Sequence, residues 1–465
     1  MTGDRPDGTG FRISRRRAVA LGGAAAASIV SAGDIPELDD IGGRGGSTSS
    51  NDEPESVDRI HDAGITGEGV RVAVLDPTGF DPTHADLTGA VEDIRQFGSE
   101  RAIVDGVSHG TAAASSVARL APAARLSLAS FRRTGEFVDA IEWARRRTVD
   151  VILTPVAAHG VAETPRSDVF RAARRAVDSG CTFVAPTGNA ALGHWQGPYD
   201  ALSGGASEER RRLRIARRSG SDADAVSGRF VAWLVAEPTI ETDLTLALLR
   251  SVDDGERWNL VSLSQSTESR IGQRLVADLT DGEYALVVRP AGHNRTAATG
   301  GPETGIDPAG RVAVTTPTHT LSSPRPVGSI AAPASVPGVV GVGVTGEPDR
   351  GDAASRSAVS NGETVAGDVS PHSGRGPTAS GAVGVDVVAP PVPWIGAGDP
   401  GTSAAASRAA GAAALVLDAA SGLAPRDVAG VLRASAGDVG RRGRDLATGS
   451  GRLDVVAAVQ RARAR

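Results

Sequence analysis

Between residues 57 and 200, short runs of aliphatic and β-branched residues alternate with Ala- and Arg-rich stretches of helical character. The apolar runs are Val70-Arg71-Val72-Ala73-Val74-Leu75, Leu126 to Ser130, Val151 to Thr154 and Cys181 to Ala185, and between them lie Thr111 to Leu120, Phe137 to Arg147 and Val169 to Ser179. Strand and helix in alternation predict βαβ units around a parallel sheet. Gly180 directly follows the last helical run, where a C-cap would release the chain into the next buried strand.

After about residue 200 the period shortens to two. Arg229-Phe230-Val231-Ala232-Trp233-Leu234-Val235, Leu244 to Leu249, Trp258 to Leu263 and Tyr284 to Arg289 read as strands, with Asp253-Asp254-Gly255 and Asp281-Gly282 as tight connections. No helical run separates them, which predicts an inserted antiparallel β-sandwich. Gly/Pro/Thr-rich residues 294–327 read as its return linker, and Gly338 to Val344 resumes the earlier strand pattern. The expected organisation is a disordered linker over 33–56, an α/β domain split into 57–204 and 328–465, and a guest sandwich with its linker over 205–327.

Composition narrows the class. All 49 basic residues are arginine, but 55 acids outnumber them and the formal charge is −6, so a nucleic-acid partner is not expected. Cys181 is the single cysteine, which excludes an intramolecular disulfide framework, and its apolar run makes it a small core residue. At the N-terminus, Ser14-Arg15-Arg16-Arg17, the weakly apolar Ala18 to Val30 and Ser31-Ala32-Gly33 read as a twin-arginine export signal over residues 1–32. The expected location is therefore secreted or cell-surface, with no integral membrane segment once the signal is removed.

Four short segments carry the chemistry. Asp76 ends the first apolar run, His109 stands in Ser108-His109-Gly110-Thr111, Asn189 closes Ala185-Pro186-Thr187-Gly188-Asn189, and Ser403 lies in Gly401-Thr402-Ser403-Ala404 before a small-residue helix. A serine hydroxyl is a weak nucleophile until a base takes its proton, and imidazole titrates near working pH. Helix starts at His109 and Ser403 would favour developing negative charge. Together with Ser373 to Thr378, Val385 to Pro390 and Gly449 to Asp454, these segments resemble the subtilisin-like serine peptidases, in an order of acid, base and nucleophile that is a known worked example for that family.

The resemblance implies a subtilisin-like α/β fold, a parallel sheet flanked by helices, here interrupted by the inserted antiparallel β-sandwich. It implies a serine endopeptidase acting on polypeptides through an acyl-enzyme on Ser403, with His109 as base, Asp76 orienting it and Asn189 as oxyanion donor. Gly188 would border the P1 pocket, and an edge strand near residues 151–160 would pair with the substrate backbone. No organic cofactor is required. Calcium is common in such enzymes, but no Asp/Asn cluster here is specific enough to assign a site. A monomer is expected.

The chain also departs from the family pattern. Pro77 follows Asp76, Ala112 replaces a second histidine, Ser407 stands where the family has proline, and Pro155 removes an N–H from the expected substrate strand. These departures motivate the alternative of a catalytically drifted, subtilisin-fold binding protein. Asp81 rivals Asp76 but reads as a turn residue, His194 reads as packing on Trp195, and Glu163 and Asp168 are given no catalytic role. A nucleotide-binding fold would need a Gly-rich loop after Leu75, and none follows.

Overall fold

The computed structural model describes residues 54–98, 101–161, 163–164, 166–202, 212–216, 226–236, 243–253, 255–266, 272–290, 310–346, 369–391, 394–396 and 400–465. The export signal and residues 33–53 of the expected linker lie outside the described residues. Helix α1, Pro54–Asp62, takes in the last three residues assigned to that linker, because Val57 and Ile60 give it an apolar side against the core.

Seven strands build one parallel sheet: β1 (Arg71–Leu75), β2 (Val91–Gln96), β3 (Arg125–Ser130), β4 (Val151–Leu153), β5 (Thr182–Pro186), and, after the insertion, β16 (Val340–Val344) and β17 (Val387–Ala389). Their spatial order is β17-β16-β5-β4-β1-β3-β2. Alternation along β1 explains the layers: Val72 and Val74 face one apolar cluster, Ala73 and Leu75 the other. Helices α2 (His109–Leu120), α5 (Gly401–Ala419), α6 (Val428–Ser435) and α7 (Val455–Arg463) cover the first face. Helices α3 (Thr134–Arg146) and α4 (Asp168–Asp178) cover the second. Gly180 follows α4 at φ +98, a conformation that suits glycine.

β1 sits between β3 and β4: the chain runs from β1 to β2 on one side of it and later crosses from β3 to β4 on the other, a reversal of winding that marks a crevice at the strand carboxyl ends. Helix α5 runs beneath that crevice, with every residue from Gly401 to Leu417 buried. Its Gly/Ala surface lets it approach α2 closely, and a Cβ on Gly411 would lie 2.9 Å from Leu120 Cβ.

The insertion forms two antiparallel five-stranded sheets. One contains β6 (His194–Pro198), β8 (Val226–Ala236), β11 (Gln265–Ser266), β12 (Gly272–Gly282) and β14 (Arg311–Thr315). The other contains β7 (Leu213–Ala216), β9 (Leu244–Ser251), β10 (Trp258–Leu263), β13 (Tyr284–Pro290) and β15 (Thr320–Leu321). Inward residues of both, such as Phe230, Leu234, Leu246 and Leu286, share one core. Two expectations change here. The sandwich starts before residue 205, since β6 pairs with β14, and the presumed return linker contains β14, an inner strand between β8 and β6. Val312 and Val314, with Ala313 between them, form too short an apolar run to stand out among flanking Gly, Pro and Thr.

Because the α2–α5 approach has no room at Gly411, Gly411→Val should destabilise the protein by about 1–3 kcal/mol, as overpacking does. Denaturant unfolding checks this, and unchanged stability would mean that the two helices can separate without cost.

Candidate active site

The loop after β1 and the start of α2 are fastened to each other. Ser108 caps α2 by accepting from Thr111 N at 3.0 Å, and its own hydroxyl donates to Gly79 O at 2.6 Å. Gly110 is required next, because a Cβ there would meet the Gly79 carbonyl and Phe80. This places His109 against Asp76, with Nδ1–H donating to Asp76 Oδ2 at 2.6 Å. A carboxylate can only accept, so the proton sits on Nδ1 and Nε2 is left as the basic nitrogen. Asp76 is fully buried, and its other oxygen accepts from Thr78 N at 2.9 Å and Thr78 Oγ1 at 2.6 Å. Thr78 Oγ1 accepts in turn from Gly110 N at 2.9 Å. The inserted Pro77 thus leaves the carboxylate in place, held by the threonine two residues on.

At the start of α5, Asn189 Oδ1 accepts from both Thr402 N and Thr402 Oγ1 at 2.9 Å. A backbone N–H cannot accept, so this pairing fixes the amide with its NH₂ end turned away from Thr402. Gly401 lies beside that end at φ +49, where a Cβ would come within 2.5 Å of Asn189 Nδ2. Ser403 is buried, and its hydroxyl donates to Pro155 O at 2.8 Å. Ser407, in the position expected for proline, donates its hydroxyl to Ser403 O at 2.9 Å, so the helix continues unbroken through it. Gly188 has φ +98, and its added Cβ would stand 3.4 Å from Ala157 and Ala331 and 3.5 Å from His159.

Residues 261–451 match the model described as the subtilase family. The chain is subtilase-like. The matched span takes in Ser403 and begins within the sandwich, at β10. Among solved structures, the chain is similar to a lanthipeptide protease (14% identity, TM-score 0.44, 87% of this chain and 92% of that one). It is similar also to fervidolysin from Fervidobacterium pennivorans, a keratinolytic enzyme related to subtilisin (17%, TM-score 0.45, 87% and 45%). A third is the prenylagaramide maturation protease PagA (14%, TM-score 0.44, 87% and 98%). No curated protein sequence matches the chain.

Three contributors to this candidate site escaped sequence reasoning: Thr78, Thr402 and Trp394, whose ring meets that of His109 edge to face at 5.2 Å. Thr78 had a readable signal, since threonine two residues after an aspartate commonly bonds back to it. The segment 151–160 differs from expectation. β4 is paired on both sides, by β1 and β5, so it is not an edge strand. Beyond it, Pro155 presents its carbonyl to Ser403, and Ala158 N donates to Ala332 O at 2.7 Å. Asp81 is engaged by Thr83 and Gly106, and the Thr83 hydroxyl first of all holds its carboxyl below the usual range. Among the described residues no three His, Cys, Asp or Glu side chains group to hold a metal, and no helix is long and apolar enough to cross a membrane.

His194 does not pack on Trp195, because neighbours on a strand face opposite ways. Trp195 enters the sandwich core under Arg325, whereas His194 accepts from or donates to Thr315 Oγ1 at 2.8 Å on the other face. Burial, and then the charge of His159, push its pKa down to about 4. Glu163 is opposite in sense: burial raises it to about 7, partly offset by the Ala379 N–H. Between pH 6.5 and 4 the unfolded chain gains a proton that folded His194 refuses, so this contribution to stability is lost as pH falls. Between pH 4.5 and about 7, folded Glu163 keeps a proton that the unfolded chain releases, so its contribution is lost as pH rises. His194→Gln should therefore gain on wild type as pH drops through its window, by about 3–8 °C in Tm, and Glu163→Gln should gain as pH rises through its own. Thermal melts across pH check both, and curves parallel to wild type would show that neither group is linked to folding.

Proposed function

We propose that the protein is an exported serine endopeptidase that cleaves peptide bonds through an acyl-enzyme on Ser403. The observation that carries this reading is the 2.6 Å bond from His109 Nδ1 to buried Asp76, because it sets the tautomer a general base needs. On substrate binding, the Ser403 hydroxyl would leave the Pro155 carbonyl and give its proton to His109 Nε2 as Oγ attacks the scissile carbonyl. The oxyanion would be received by the Asn189 NH₂ and the Ser403 backbone N–H at the start of α5. His109 would then hand the proton to the departing amine, and water would release the acyl group by the same steps in reverse. Asp76 stays ionised throughout and stabilises the imidazolium. Export rests on the twin-arginine pattern at residues 14–33.

A second reading has its own support. The Ser403 hydroxyl is bonded to Pro155 O, which is the arrangement a drifted binding protein could keep permanently. Fluorophosphonate labelling with peptide mapping separates the two. Stoichiometric modification of Ser403, absent in Ser403→Ala, is expected of the peptidase, whereas folded wild-type protein that takes no label supports the binding protein. Asn189→Ala should lower kcat by about 10²- to 10³-fold with KM little changed. A loss under tenfold would remove Asn189 from the oxyanion role.

A further inference from the structure

We propose that Trp394 is a positioning residue for His109, an aromatic wall that holds the imidazole in line with Asp76 and stabilises it while it carries the proton of Ser403. Among the described residues the His109 side chain has one hydrogen bond, to Asp76 at Nδ1, and one ring partner, Trp394, at 5.2 Å with 63° between the planes. Ser403 does not help hold it, since that hydroxyl is bonded to Pro155 O. A single hydrogen bond at one ring atom leaves rotation about that bond to be limited by packing, and the His109 side chain is 17% exposed. The indole closes that freedom. It is half-buried and packed against the main apolar cluster, so it is itself fixed.

The segment after Trp394 is seated on the same approach. Gly396 has φ +99, and a Cβ there would stand 3.2 Å from Val107 Cγ1, one residue before the Ser108 cap. Trp394 and the α2 start are thereby brought together from chain positions far apart. The contact also discriminates by charge. As part of the same proposal, the imidazole turns its edge to the indole face, where a cation within about 6 Å is attracted, so the imidazolium formed as Oγ attacks is favoured over the neutral ring. Among the described residues around it, Asp76 is the carboxylate bonded to His109, Asp81 is engaged by Thr83 and Gly106, and Val107, Ser108, Gly401, Thr402, Ser403 and Pro155 carry no charge.

The catalytic consequence rests on the peptidase reading, but the holding of the ring does not, and the test is built on that difference. Trp394→Leu and Trp394→Phe are compared with wild type, with Tm monitored to establish folding. Two readouts are taken: kcat and KM on a peptide substrate, and the low-field proton resonance of the His109–Asp76 bond, assigned by its loss in His109→Gln. Trp394→Leu should lower kcat about 3- to 30-fold at nearly constant KM, while Trp394→Phe stays within about threefold of wild type. The resonance should be sharp in wild type, broadened by exchange in Trp394→Leu and restored in Trp394→Phe. An unchanged resonance and kcat in Trp394→Leu would overturn the proposal, as would equal losses in Leu and Phe variants that track Tm, or a resonance absent from wild type. If wild type neither turns over peptide nor labels at Ser403, the peptidase reading fails alone, and the resonance in Trp394→Leu decides whether Trp394 holds the ring.

Discussion

The burial of a helix made almost wholly of small residues is the constraint on which this structure depends. Helix α5 passes under the parallel sheet with Gly401 to Leu417 all out of water. Glycine, alanine and serine make that affordable in space: at Gly411 the helix touches Leu120 of α2 so closely that one added carbon has no place. Larger side chains would move α5 outward and carry Ser403 away from the carboxyl ends of β1 and β5. The pronounced alanine content of the segment is thus a statement about distance as much as about helix propensity.

From that seat the site is assembled by polar contacts that each satisfy a group which would otherwise be buried unpaired. Asp76 is fully buried, and Thr78 and His109 between them occupy both of its oxygens. Asn189 is oriented by Thr402, its neighbour across the crevice, which donates to Oδ1 through both its N–H and its hydroxyl. Such pairs are costly to leave half made, so they enforce one geometry. Gly110 and Gly401 complete the arrangement by absence, since each removes a Cβ from the place where two loops meet.

The inserted sandwich is part of this neighbourhood. Its first strand, β6, begins five residues after Asn189, and Trp233 of β8 packs so closely on Gly160, past the carbonyl that holds Ser403, that a Cβ there would meet its ring. Burial, and then the charge of His159, disfavour a proton on His194 at the start of β6. The insertion therefore abuts the Asn189 loop and the segment beyond β4, where a substrate of the proposed peptidase would have to lie.

Local pattern alone was enough for the alternating strands and helices of residues 70–186, the guest sandwich and the short segments bearing Asp76, His109, Asn189 and Ser403, because periodicity, small-residue runs and turn residues are written within a few positions of each element. It could not tell that β4 lies inside the sheet, that β6 and β14 belong to the sandwich, or that His194 and Trp195 part company across a strand. Neither could it bring Trp394 to His109 or Thr402 to Asn189, which are separated by hundreds of residues. Those outcomes follow from which strand pairs with which and from the depth at which α5 is buried, quantities set by the whole packed core and carried by no single stretch of chain.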